Sequence, residues 1–269
     1  FNTVSAKIYT ATISPSEDGE VTVDVLANKA TDIAGNANTA ATQLSVTNDE
    51  TAPSAPIVAS ISTDAGSSAT DNVTNDQTLE ISGTAEANAS VEVFIGGNSI
   101  GNTTADGSGD WTFDHSGSTL TEATHSITAK ATDAAGNESA TSTALDITVD
   151  ITAPSISTGT IVGKTYGLTE NVDVTYLFSE TVLVDETNGT PSVTIAMGGQ
   201  NRAAAYHSGS GTNTLVFRYT TAAGDIDGNG VSVSAINTNG GTIQDAAGTD
   251  ADVQEAWDQS GCWLHRLSA

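Results

Sequence analysis

The chain has 269 residues, 33 of them Asp or Glu against 7 Lys or Arg, for a formal net charge of -26. A surface this acidic repels nucleic acid and anionic lipid, which excludes nucleic-acid binding and membrane insertion as working roles. Hydrophobic residues are 37% and aromatics 5%, with Thr, Ser, Ala, Val and Gly dominant, which predicts short strands and tight turns rather than long amphipathic helices.

Residues 1–48 read as the back half of a domain. Strands are predicted at 7–13 (KIYTATI), at 21–26 and at 42–46; Val21, Val23 and Val25 alternate with Thr22 and Asp24, the period of a half-buried strand. Ser14 to Gly19 is the turn between the first two. Some four front strands are missing from such a piece, so it is expected to expose core and sheet edges, as if a boundary cuts a domain. Residues 49–53 (DETAP) form a short linker that Pro53 and Pro56 restrict.

Residues 53–150 make a complete unit. Strands are predicted at 57–61, 78–82, 90–95, 111–114, 125–132 and 144–149, with a polar loop at 63–76 and the turn Asp106 to Asp110 delivering Trp111 and Phe113 to one face. Seven or so strands at this spacing give a β-sandwich of immunoglobulin-like architecture, without the cysteine pair. Residues 151–153 are the next linker. Residues 154–252 differ in sequence but repeat the alternation: Val172, Val174, Tyr176 and Phe178, then strands at 192–196, 203–207 and 215–219. Residues 253–269 break the pattern. They hold two of the three Trp and the only cysteine, Cys262, and read either as a non-native or frame-altered tail or as a true terminal segment. With one cysteine, no intramolecular disulfide forms, and stability must come from packing, with metal as an optional addition.

The units are related. Lys29-Ala30-Thr31-Asp32 and Lys130-Ala131-Thr132-Asp133 lie 101 positions apart, and Thr51-Ala52-Pro53 and Thr152-Ala153-Pro154 share that offset. A period near 100 residues is too long for a solenoid unit and suits one small sandwich, so each cassette is a last hairpin plus an exit linker.

Ala131 to Asn137 (ATDAAGN), the linker Asp150 to Pro154, Ile81 to Glu86 and Asp106 to Trp111 resemble the tandem bacterial Ig-like repeats of large secreted, type I secreted, biofilm-associated adhesins. Phe178 to Val182 and Gly240 to Gly248 resemble a second repeat type of the same proteins. The likeness covers about residues 1 to 250 and departs at Thr249, where Asn is expected, and in the tail. It implies an all-β chain of tandem Ig-like β-sandwich domains in an extended array, on the bacterial surface or secreted. The role it implies is a non-enzymatic stalk that Ca²⁺ stiffens at the interdomain junctions. The partners it implies are the neighbouring repeats, with host or surface glycan or protein met through domains outside this chain. Two alternatives stand beside it: a glycan- or protein-binding third unit, marked by a groove of exposed aromatics, and an accessory Ig-like segment of a secreted hydrolase.

The acidic charge carries two readings, a solubilising coat or carboxylates partly neutralised by divalent cations in Asp/Asn/Gly turns. In Ig-like topology, Asp133 and Asn137 are expected beside Asp49 and Glu50, with Glu86 close by. At the next junction Asp64, Asp71 and Asp76 are expected to approach Asp150, joined by Glu180 and Asp245 from the third unit. Clusters of like charge about 4 Å apart are unfavourable even in water, roughly 1 kcal/mol per pair, unless a cation intervenes. Ca²⁺ takes six to eight such oxygens. The conformational alternative for these turns is that Asp and Asn cap the backbone and Gly supplies positive φ.

Asp225 to Gly230 (DIDGNG) matches the first half of an EF-hand loop, but position twelve is Ile236 and the flanks read as strands, so it reads as an acidic turn. Catalytic spacing is absent. His115, His125, His207 and His265 are scattered, and no GxSxG, HExxH or phosphate-cradling glycine loop occurs.

Overall fold

The computed structural model describes residues 2–5, 8–164, 166–197, 199–225 and 231–254. The tail at 255–269 and the EF-hand-like stretch after Asp225, to residue 230, lie outside the described residues. Every regular element among the described residues is a strand, as the Thr/Val-rich composition predicts, and no helix is long and apolar enough to cross a membrane. By packing, the chain forms two compact units, Phe1–Ala59 with Ser82–Phe113 and Ile127–Leu145, and Ser60–Ile81 with Asp114–Ser126 and Asp146–Ala269.

In the first unit, β1 (Asn2–Ser5) and β2 (Ile8–Thr10) form an antiparallel pair. Next, β3 (Gly19–Val23) pairs with β4 (Leu44–Asn48) in the register Gly19↔Asn48 to Val23↔Leu44. This two-stranded ribbon is uncovered: Leu44 is 59% and Val46 57% exposed. The strands that follow are β5 (Ile57–Ile61), β6 (Val73–Thr74), β7 (Glu80–Thr84), β8 (Ser90–Ile95), β9 (Asn98–Thr104), β10 (Asp110–Asp114), β11 (Ala123–Thr132) and β12 (Leu145–Val149). They make two sheets, β10-β7-β5 and β6-β12-β11-β8-β9, the layout of an Ig-like sandwich.

The hairpin β8–β9 turns through Gly96 and Gly97, both at positive φ, as a two-residue hairpin with right-handed twist requires. Its second strand, NSIGNTT, carries no apolar alternation and is invisible to periodicity. Trp111 lies 2% exposed over Gly83, where a Cβ would fall 2.5 Å from the indole ring; this tryptophan is a core anchor rather than a surface platform. Leu79, Ile81, Val91, Val93, Ile127, Ile147 and Val149 are among the other buried apolar side chains of this region.

After Pro154, all within the second unit, come β13 (Ile156–Ile161), β14 (Asn171–Asp185), β15 (Ser192–Met197), β16 (Gln200–Ser208), β17 (Thr212–Thr220), β18 (Ser232–Val233) and β19 (Thr242–Gln244). The sheet order is β13-β14-β17-β16-β15-β18, and β19 pairs with β14. The organising element is β14. Its first half pairs with β17 up to Leu177↔Thr214, the register breaks, and its last residues pair with β19 from Leu183↔Gln244. A strand that breaks register in this way turns a sandwich corner and joins both layers. The core beneath it contains Val174, Tyr176, Phe178, Ile195, Leu215 and Phe217, with Tyr176 edge-on to Phe217 at 5.8 Å. Full burial of side chains this size contributes roughly 1.5–3 kcal/mol each. The aromatics of this region with a described burial are all buried or half-buried, so the exposed aromatic groove of the binding-module alternative is not found among them.

Candidate metal centre

The same five-residue turn occurs three times: Asp32 to Asn36, Asp133 to Asn137, and Asp245 to Thr249. Each places Gly fourth at positive φ, 89° at Gly35, 98° at Gly136 and 86° at Gly248, a conformation other residues adopt only with strain. In each, one carboxylate oxygen of the Asp accepts the amide of the fifth residue, at 2.8, 2.9 and 2.8 Å. To this point the turn is a conformational device.

The fifth residue separates the copies. Asn36 and Asn137 each donate a side-chain N–H to the second carboxylate oxygen of their Asp, both at 2.9 Å. Asn137 uses its amide nitrogen a second time, donating to the Asp49 carbonyl at 3.1 Å. Thr249 has one hydroxyl proton where Asn has two amide protons. It gives that proton to the Asp150 carbonyl at 3.3 Å, repeating the linker contact and leaving Asp245 Oδ2 with no partner. Asp245 is only 2% exposed, and a buried unpaired carboxylate oxygen is costly.

Asp245 is not alone. Its carboxylate lies with those of Asp150 and Glu180 such that one oxygen of each falls within 4.8 Å of the others. Asp150 follows β12 and enters the linker, its Oδ1 accepting the Thr152 amide at 3.1 Å. Glu180 sits at the corner of β14, where the register breaks. Asp245 follows β19 directly. Burial, and then the charges of Asp150, Asp245 and Glu122, push the Glu180 carboxyl above its ordinary pKa. Burial also raises Asp245, with the Asp150 charge adding to it and the Thr249 amide opposing it. At the earlier turn the direction reverses: the Asn137 side chain and amide hold Asp133 below the usual carboxylate range.

Carboxylate oxygens are the ligand type a hard divalent cation takes, and the neighbourhood is closely fitted. A Cβ on Gly66 would lie 2.0 Å from the Ala246 carbonyl, and the Ser67 amide donates to that same carbonyl at 3.2 Å. The polar loop after β5 therefore rests on the turn that carries Asp245.

The remaining sequence-predicted ligands lie outside this group. Asp71 Oδ1 accepts the Val73 amide at 3.1 Å, and Asp76 Oδ1 accepts the amide and hydroxyl of Thr78, both at 2.8 Å. Asp64 Oδ2 accepts the Asn72 amide at 3.1 Å, while its Oδ1 is buried without a partner. Asp49 Oδ1 accepts the Thr51 amide at 3.1 Å, the Glu50 amide donates to Asp18 at 2.6 Å, and Glu86 is exposed beside Ser54 and Ala55. Among the described residues, Asp150, Glu180 and Asp245 are the three carboxylates that come together.

Glu122 was not anticipated. Its Oε1 accepts the Thr152 hydroxyl at 2.6 Å, and its charge reaches Glu180. Asp18 does the same for Thr51, accepting its hydroxyl. Thr51 and Thr152 occupy equivalent linker positions, so an acid in the loop before a long strand that holds the linker threonine is part of the repeat. The signal lay in the linker threonines rather than in the acids, which stand at different offsets.

Residues 51–151 match the profile of a bacterial Ig-like domain. Exoglucanase B of Cellulomonas fimi is 31% identical over 255 residues, 86% of this chain, and the chain spans 22% of that protein's length. Among solved structures, a tetra-tandem repeat in the extending region of a large adhesion protein is 22% identical, with a TM-score of 0.32, covering 87% of this chain and 55% of that one. The FN1–FN3 domains of chicken CNTN1 are 11% identical, with a TM-score of 0.28, covering 77% of this chain and 68% of that one.

Proposed function

Since residues 51–151 are a bacterial Ig-like domain, we propose that the chain is a non-enzymatic spacer of tandem Ig-like repeats in an extracellular bacterial protein, stiffened by Ca²⁺ where one repeat passes into the next. The repeats are divided at the linkers 49–53 and 151–153, with residues 1–48 the C-terminal half of a repeat. The observation that carries the reading is the buried Asp245 carboxylate, one oxygen of it unpartnered, gathered with those of Asp150 and Glu180. Without a cation this is three negative charges in a partly dry place; with Ca²⁺ it is a coordination site. Asp150 enters the linker, Glu180 lies on β14 of the following sandwich and Asp245 in the turn after β19, so a shared ion ties the linker to that sandwich. Extracellular modules commonly bind Ca²⁺ with Kd of about 10⁻⁴–10⁻³ M, and occupancy at ~100 times Kd adds ~2.7 kcal/mol to the bound state. That is sufficient to restrict a hinge already shortened by prolines.

Small-angle scattering and thermal melts with Ca²⁺ and with excess chelator test this. The expected result is a longer, narrower distance distribution and a higher Tm with Ca²⁺. Identical curves in both buffers would leave the acidic turns as turns only.

A second reading, an accessory non-catalytic segment of a secreted hydrolase, is favoured by the similarity to Exoglucanase B. The two readings share the spacer mechanism and differ in what the spacer carries. A catalytic domain in the same reading frame would decide for the second.

A further inference from the structure

We propose that the fifth residue of the Asp-x-x-Gly turn sets whether a junction requires a divalent cation: Asn closes the turn by itself, and Thr leaves an acceptor that only a cation fills. The inference rests on the Ca²⁺ reading of the Asp150, Glu180 and Asp245 group and adds to it the residue that controls the site. The two turns share their backbone, their Gly and their bond from the fifth residue's amide to the Asp. Both fifth residues also reach back to the linker carbonyl, Asn137 to Asp49 and Thr249 to Asp150. What differs is one proton. The Asn137 amide nitrogen serves both the linker carbonyl and Asp133 Oδ2, whereas the Thr249 hydroxyl donates its proton to the carbonyl and Asp245 Oδ2 has no hydrogen-bond partner.

The surroundings agree with this division of labour. Glu180 and Asp150 bring two further carboxylates to Asp245, so a cation that fills the open oxygen has two more ligands at hand. Asp133 has no such company among the described residues, and its carboxylate is saturated by Asn137, Gly136 and Ala135. The chain thus holds one turn that is complete at any cation concentration and one that is complete only above the Kd of its ion. An array mixing the two types would soften at chosen junctions when the cation falls.

The test is calorimetric titration of CaCl₂ into the full chain and into Thr249→Asn, Thr249→Val and Asp245→Asn. The heat missing in Asp245→Asn identifies the site. Thr249→Asn is expected to weaken that site at least tenfold, because its amide occupies Asp245 Oδ2. It is also expected to raise the Tm in chelator above wild type, because the buried oxygen gains a donor. Thr249→Val keeps the volume and leaves Oδ2 open, so it is expected to hold the wild-type affinity within about threefold. Wild-type affinity in Thr249→Asn, with its chelator Tm unchanged, overturns this inference while the Ca²⁺ reading stands. No saturable heat in the wild type that Asp245→Asn removes overturns both.

Discussion

The turns at Asp133 and Asp245 have the same backbone and opposite electrostatics. Asp133 is half-buried, fully hydrogen-bonded and held below the usual carboxylate pKa by Asn137. Asp245 is buried, half-satisfied and pushed above it, by burial first and by Asp150 among the further causes. One side-chain exchange, Asn to Thr, accompanies the change. A turn motif read by its Asp and Gly alone describes conformation; its chemistry is decided by how many protons the fifth residue can donate and by which carboxylates the fold brings near.

The largest contrast is expected at the turn glycines. A Cβ on Gly248 would lie 2.9 Å from the Gly66 Cα, whereas nothing lies within 4 Å of one on Gly136. Gly136→Ala should cost only positive-φ strain, about 1–3 kcal/mol. Gly248→Ala should add overpacking of roughly 1–3 kcal/mol more, read as the difference in denaturant midpoints. Next is the metal response. Asp245→Asn should abolish the Ca²⁺-dependent part of the Tm, about 2.7 kcal/mol at ~100 times Kd, while Asp133→Asn leaves the shift on Ca²⁺ addition unchanged.

Proton linkage should separate the turns by sign. Asp133 has a lowered folded pKa, so its contribution to stability is present above the unfolded carboxylate value, about 3.9, and is lost as pH falls through the lower folded value. Asp245 and Glu180 have raised folded values, so their protonated forms favour the fold below the ordinary range, and that contribution is lost as pH rises through the folded pKa. Carboxyl NMR titration in Ca²⁺-free buffer should place Asp133 below, and Asp245 above, an unfolded reference; the same direction for both would remove the contrast. The smallest effect is at the linker. Thr152→Val removes the exposed hydroxyl bond to Glu122, and should cost no more than about 1 kcal/mol while loosening the amide protection around Asp150.

Much of this architecture is legible in the chain. The alternation at Val172, Val174, Tyr176 and Phe178 marks the first half of β14, and all four are buried. What alternation does not reveal is that the strand continues past Ser179 and changes partner, because the partner is chosen by β17 and β19, distant in sequence. β9 was silent for a different reason: Ser, Asn, Gly and Thr pair through backbone alone and leave no apolar period. Leu44 and Ile147 show the limit of pattern. Both lie in equivalent last strands, yet Leu44 is 59% exposed and Ile147 fully buried, since burial depends on strands elsewhere. Asp150, Glu180 and Asp245 were identifiable as acids near a junction. That they, rather than Asp71 or Asp76, converge could not be read, because Asx turns consume the latter pair locally.

The most direct measurement is native-state hydrogen exchange on the full chain with and without Ca²⁺, comparing the amides of Asn137 and Thr249, each bonded to its own aspartate. The account predicts that Ca²⁺ slows exchange at Thr249 and leaves Asn137 unchanged. Equal slowing at both, or at neither, would contradict it.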